Sequence, residues 1–303
     1  MGFDELMMSL NLGLIFGIVG MGVFITFKVI DFPDLTCDGS FAFGLAVTGV
    51  LIQQGVNPYY VLLVSVIAGA LAGAVTGILN AYFKVTDLLA GILVTFMLYS
   101  VNVRVMSEQT NRTLLFHDTS FSVWTDKVMA PLEGASSFIQ NLSMDHPMTI
   151  LIVISLLIIG LLTWLLSTDM GLSIRAIGQN KRLCQNSGVN VKWMVILGVA
   201  MGNGLVALGG SLFGQFTGVA DINAGIGTII TGFAAVIIGE KVLPFRSIWI
   251  KLISCILGST LFHLIKSAAL NAESLNLEAY DFNIIAGVII VLVMVMPGGR
   301  RKC

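Results

Sequence analysis

The 303-residue chain is 56% hydrophobic and only 11% charged, with 33 glycines and a formal net charge of −1. A soluble domain carries roughly 25% charged residues, so the composition excludes an ordinary soluble enzyme, and without a basic cluster nothing favours nucleic acid as a partner. The apolar residues fall in long runs near the roughly 20 residues that cross a bilayer core as a helix, the pattern of an all-α polytopic membrane protein.

The opening residues MGFDELMMSL lack a basic segment, so the first apolar run is expected to stay as a helix rather than be cleaved as a signal. Hydropathy places nine spans near 9–29, 39–54, 58–83, 87–103, 148–167, 192–214, 226–240, 247–268 and 281–297. Three of them, including 39–54, are short for a full crossing. With the N-terminus outside and the C-terminus inside, Lys28, Lys84, Arg175, Lys181, Arg182, Lys192, Lys241, Arg246, Lys251, Arg300, Arg301 and Lys302 fall on the inner side. Only Arg104, Arg112, Lys127 and Lys266 remain outside, as the positive-inside rule requires. Residues 1–303 read as a single transmembrane domain. Residues 104–147 form a polar outer loop long enough for a short helix on the membrane surface. Residues 168–191 form a basic inner loop, in which Asn180 is expected to cap a helix over 181–187 and Gly188 to end it.

Two breaks interrupt the apolar pattern. The first is PDLTCDGS, residues 33–40, between two strongly apolar segments. The second is ADINAGIGT, residues 220–228. Pro33-Asp34-Leu35-Thr36 aligns with Ala220-Asp221-Ile222-Asn223. After a one-residue shift Gly39-Ser40 matches Gly227-Thr228, and Gly44-Leu45-Ala46 matches Gly232-Phe233-Ala234. One break lies toward the inside and the other toward the outside, the pattern of an inverted repeat. Irregular backbone at membrane depth is tolerated only where protein covers it or water reaches it. A helix starting there turns free N–H groups and the positive end of its dipole toward the cavity. Asp38, Gly39, Ser40, Asn102, Asn203, Asp221, Asn223, Gly227 and Thr228 are therefore candidates for lining a translocation path. The plainer alternative makes both breaks surface turns, and whether Asp34, Asp38 and Asp221 meet substrate or serve structure stays open. Asn102 and Asn203 have an ordinary alternative as well, bonding to neighbouring helices.

Other motifs point to packing. Gly69, Gly73 and Gly77 give the third span one smooth face. His117, His146 and His263 have no metal-ligand spacing, and Cys37, Cys184, Cys255 and Cys303 read as scattered free thiols. The G-x-x-x-x-G-K-[ST] phosphate loop does not occur.

The inner loop GLSIRAIGQNKRLCQNSGVNV, with GNGLVALGGSLFGQFTGVADINAGIGTIITGFAAVIIGE after it, resembles the permease subunits of bacterial ABC importers for branched-chain amino acids, ribose and nucleosides. DFPDLTCDGSFAFGLAVTG resembles the sub-branch associated with amino-acid uptake, often of tryptophan or tyrosine. The resemblance covers nearly the whole chain. It implies a homodimer of permeases in the cytoplasmic membrane, two ATPase subunits, and an extracellular or periplasmic binding protein that delivers an aromatic or branched-chain amino acid. It implies no cofactor on this chain, with ATP and magnesium on the ATPase. It also implies that Arg175, Ala176, Ile177, Gly178, Gln179 and Asn180 form the coupling helix seated in the ATPase. The alternative is a stand-alone secondary transporter with inverted repeats, which needs a membrane-embedded ionisable group to bind a coupling ion. Apart from the acids at the breaks and His263, the spans offer few. An integral membrane enzyme would need a convergent catalytic set, and none stands out.

Overall fold

The computed structural model describes residues 2–115, 117–124, 146–244, 247–270 and 282–295. Helix α1 (Phe3–Val23) runs on into a π-helical turn, Phe24–Val29. It begins six residues before the expected span, because the Glu5 carboxylate accepts the Gly2 N–H at 2.9 Å and caps its first turn. Then follow α2 (Cys37–Gln53), α3 (Pro58–Ala81), α4 (Asp87–Val105), β1 (Asn111–Thr113), α5 (Ser120–Trp124) and α6 (His146–Ser167). The inner segment holds α7 (Asp169–Gln179) and α8 (Lys181–Asn186). The chain continues through α9 (Val191–Thr217), β2 (Val219–Asp221), a 3-10 turn (Ile222–Gly225), α10 (Thr228–Val242), α11 (Ile248–Leu270) and α12 (Phe282–Val295).

A helix occupies each of the nine expected positions, but they are not equal. Among the described residues seven are long and apolar enough to cross a membrane: Phe3–Val29, α3, α4, Pro147–Ser167, α9, Ile222–Val242 and α11. Helix α2 has 17 residues, short of the roughly 20 a straight crossing takes, and 14 residues of α12 are described. Helices α1 and α9 form the centre, each with 78% of its apolar window buried, against 28% for α4. Helix α9 packs on α3 and α2, and α1 on α11 and α10. The glycine face of α3 meets α9: a Cβ at Gly77 would lie 2.8 Å from the Ile196 Cα, and Gly69 and Gly73 approach the Asn203 and Val199 carbonyls as closely. Close backbone packing through small residues is how helices associate without a hydrophobic drive in lipid.

The fold is not purely helical. Strands β1 and β2 pair antiparallel, Asn111 with Asp221 and Thr113 with Val219. Gly218, left-handed at φ 70°, ends α9 and turns the chain into β2, and the Leu114 N–H donates to its carbonyl at 2.7 Å. Arg112 fixes the ribbon by donating to the Met106 carbonyl through Nη2 at 2.9 Å and to the Gln53 side chain. The loop over 104–147 thus carries a strand and the five-residue α5, which is buried at Ser120 and Phe121, while residues 125–145 lie outside the described residues.

Candidate functional site

The first break leaves the π-helical turn at Ile30, and Asp31 turns the chain at φ 58°. It then runs without regular structure to Leu35 and enters α2 at Cys37. Gly39 and Ser40 therefore sit in the first turn of α2, which starts two residues before the expected 39. Gly39 is crowded by α4, since a Cβ there would lie 3.1 Å from the Thr95 Cα and 3.0 Å from Leu98. The signal for the start was Asp38, an acid suited to a helix's first turn.

Asp34 is buried at 2% exposure. Its Oδ1 accepts the Thr36 N–H at 2.8 Å, and its Oδ2 accepts from Asn203 Nδ2 at 2.5 Å. Asn203 Oδ1 in turn accepts the Ser40 hydroxyl at 2.7 Å, and Asn203 Nδ2 also donates to the Val199 carbonyl at 3.0 Å. Thr36 and Thr76 hydroxyls pair at 2.8 Å. A carboxylate removed from water is stable only when its lone pairs are satisfied, and this network does so while tying α2 to α9. Ser40 and Asn203 are fully buried in it.

The second break follows β2. Asp221 Oδ1 accepts the Asn223 N–H at 2.9 Å, which shapes the 3-10 turn; Asn223 itself is exposed. Gly227, left-handed at φ 83°, is the N-cap of α10, and Thr228 is its first residue. A glycine N-cap has no side chain of its own to cover the helix's free N–H groups. The first break supplies one: Asp38 Oδ2 accepts the Gly227 N–H at 3.1 Å, and its Oδ1 accepts the Ile229 N–H at 2.8 Å. A carboxylate from the first turn of α2 thus holds the positive end of α10. The expected free N–H groups at this helix start are in part occupied from within the chain.

Beside this junction lies a pocket of about 60 Å³, lined by Asp38, Gly39, Ala42, Thr95, Tyr99, Asn102, Ile222, Gly225 and Ile226. It holds a few waters' worth of space. The Asn102 side chain is fully buried; its Nδ2 donates to the Gly39 carbonyl at 3.5 Å, and its Oδ1 has no hydrogen-bond partner among the described residues. Asp38, Gly39 and Asn102 therefore share one pocket, Gly227 is tied to it through the cap, Thr228 is buried beside that cap without lining the pocket, and Ser40 and Asn203 are buried outside it. Asp221 lies farther along, at the ribbon. Sequence reasoning missed Thr95, Tyr99 and Ile226. Thr95, Tyr99 and Asn102 are spaced i, i+4, i+7 in an apolar helix, and that polar stripe was the signal.

At the other end, Thr168 caps α7 and Asn180 caps α8, its Oδ1 accepting the Leu183 N–H at 3.0 Å. The expected cap and the end at Gly188, φ 81°, both hold. Arg175 to Gln179, which the resemblance placed in one helix, lie in α7, which starts six residues earlier at Asp169 and leaves Asn180 between it and α8. Ile177 is buried, Gly178 packs on the Val29 carbonyl, and Ala176, Gln179 and Asn180 are exposed. Arg175, Gly178 and Gln179 line a cavity of about 180 Å³ together with Lys28, Glu240 and Lys251. Lys28 and Glu240 pair beside it at 2.9 Å, and α7 itself packs on α6, α9 and the π-helical turn.

The family model described as "Branched-chain amino acid transport system / permease component" matches residues 6–295. The chain is 33% identical over 278 residues to a tyrosine transport system permease protein of Clostridioides difficile, covering 92% of this chain and 86% of that protein. It is 29% identical to an uncharacterized protein of Rickettsia prowazekii, over 90% of each chain. It is 25% identical to the autoinducer 2 import system permease protein LsrC of Salmonella typhimurium, over 84% of this chain and 67% of that one. No solved structure matches the chain. With seven helices fit to cross a membrane and a family match over nearly its whole length, this chain belongs to the permease component family of branched-chain amino acid transport systems.

Proposed function

We propose that this chain is the permease subunit of an ATP-driven importer, carrying an amino acid, aromatic rather than branched-chain, across the bacterial cytoplasmic membrane. The path runs past the pocket at the junction of α2 and α10. The observation that carries this reading is the Asp38 cap, which joins two irregular segments, 187 residues apart in sequence alignment, at one polar pocket. Irregular backbone and polar groups at membrane depth are costly against lipid and useful against a polar solute. The two breaks act as halves of an inverted repeat, with the N-terminus outside and the C-terminus inside. An amino acid suits the pocket because Asp38 and the unpartnered Asn102 oxygen both welcome an ammonium group. The tyrosine permease among its relatives favours an aromatic side chain.

Helix α4 is the least buried of the long helices, yet it carries the pocket's Thr95, Tyr99 and Asn102. A second copy of this chain covers that face, so that the path lies between two permeases. Arg175, Ala176, Ile177, Gly178, Gln179 and Asn180 couple each copy to an ATPase that holds ATP and magnesium, and a separate binding protein delivers substrate from outside. A secondary transporter would not need two capped helices held against the inner ends of the bundle.

The test is reconstitution in proteoliposomes with the ATPase and binding protein. The expected result is uptake of labelled L-tyrosine or L-phenylalanine that requires ATP and stops when the ATPase is left out. Uptake driven by a sodium or proton gradient without the ATPase would establish the secondary transporter instead.

A further inference from the structure

Beyond the pocket, toward the C-terminal end of α4, lies a second cavity of about 510 Å³, lined by Tyr99, Ser100, Val103, Arg104, Ser107 and Glu108. Tyr99 belongs to both cavities, so the two adjoin along one helix. The chain past α4 bends sharply. Ser107 and Glu108 take the left-handed conformation in succession, at φ 55° and 64°, a conformation L-residues adopt reluctantly. The Ser107 N–H donates to the Arg104 carbonyl at 3.1 Å and the Glu108 N–H to the Val103 carbonyl at 2.9 Å. The turn folds back on the helix end and brings the Glu108 side chain to the cavity that Arg104 also lines.

Arg104 and Glu108 thus present opposite charges to one cavity, yet among the described residues neither forms an ion pair. An ordinary surface pair would close on itself or spread into water. Here Tyr99 and Val103 stand as an apolar wall beside the two charges. One turn below, the buried Asn102 oxygen lacks a donor. The complementary ligand has a carboxylate for the guanidinium fork, an ammonium for the carboxylate and an apolar body for the wall. A free α-amino acid is that ligand.

We infer that Arg104, Glu108 and Tyr99 form a reception site for an amino-acid zwitterion, from which its ammonium passes inward to Asn102 and Asp38. This rests on the amino-acid reading above, and it adds Arg104 and Glu108, to which no role was assigned. Binding is weak by design, since both charges stay partly hydrated and a carrier must release what it receives.

The experiment is saturation-transfer NMR on the full chain in lipid nanodiscs, with melting temperature as the control for folding. The probes are L-phenylalanine, phenethylamine, which lacks the carboxylate, and 3-phenylpropionate, which lacks the ammonium. The wild-type chain should bind L-phenylalanine at least about tenfold more tightly than either analogue, the loss expected when one charged hydrogen-bonding partner is missing. Arg104→Gln and Glu108→Gln should each weaken L-phenylalanine by a similar factor while melting with the wild type. Equal binding of all three probes, no binding of L-phenylalanine, or full binding in both variants would overturn the site. The comparison among probes needs no variant, so it decides even if a substitution disturbs folding. Failure here with ATP-driven uptake intact would remove only this site. Success here without ATP-driven uptake would remove the importer reading.

Discussion

Asn203→Leu is expected to lower the melting temperature of the detergent-solubilised chain by about 10 °C, from a loss of about 3–5 kcal/mol and the usual few degrees per kcal/mol in a protein of this size. Leucine keeps asparagine's number and branching of side-chain heavy atoms, though its methyls are bulkier, so most of the deficit is polar. It strips the Asp34 Oδ2 of its donor at 2.5 Å and the Ser40 hydroxyl of its acceptor at 2.7 Å. Both groups are buried, and a buried carboxylate that loses a partner bears most of its desolvation penalty. The same amide sits against Gly73 of α3, so α2, α3 and α9 loosen together. A thermal melt followed by fluorescence-detected size exclusion measures this. A melt within about 2 °C of the wild type would mean that the network contributes nothing to holding α2.

Asp38→Ala is expected to lower transport per assembled complex by at least about tenfold while costing only about 1–2 kcal/mol of stability. That cost is the ordinary one for removing an N-cap side chain with its favourable charge. Asp38 accepts two N–H groups of α10, at 3.1 and 2.8 Å, and it lines the pocket. Without it the α10 N-terminus loses its anchor to α2, and the pocket loses its only carboxylate among the lining residues. Asp38→Asn keeps one acceptor oxygen, so it should retain most of the stability and little of the transport. Labelled uptake normalised to assembled complex, read beside the melt, separates the two effects. Full transport in Asp38→Ala would reduce this residue to a cap.

Much of the fold was legible because bilayer thickness imposes a length and a hydropathy on each helix. The helix positions, the Asn180 cap and the α3 glycine face all follow from local rules. The ribbon was not legible, since three-residue strands at 111–113 and 219–221 lie far apart in sequence and carry no alternation to mark them. Nor was the length of α1, which depends on a Glu5 bond to its own backbone. At the site, the two breaks could be read from their acids and glycines, but not that one caps the other. Asp38 and Gly227 are 189 residues apart in sequence, and only tertiary packing brings them together. Asn203 shows the opposite limit. A polar residue in an apolar helix is visible at once, yet only its bonds to Asp34 and Ser40 tell that it serves α2 from behind the pocket. Gly39 and Gly227, alike in sequence, differ in cause: the first is crowded by α4, the second has open space but a left-handed backbone.

The central claim is that the pocket at the α2–α10 junction opens to a polar path and not to lipid. Ile226, which lines it and is 76% exposed in the single chain, gives the most direct test. With the native cysteines removed, Ile226→Cys should react with a small charged methanethiosulfonate in the assembled transporter, and saturating substrate should slow the reaction. Leu157→Cys, on the exposed apolar face of α6, is the control, because a thiol in lipid stays protonated and out of the reagent's reach. Rapid, substrate-sensitive modification at 226 with none at 157 is the result expected. Equal silence at both positions would place Ile226 in lipid and contradict a path at this junction.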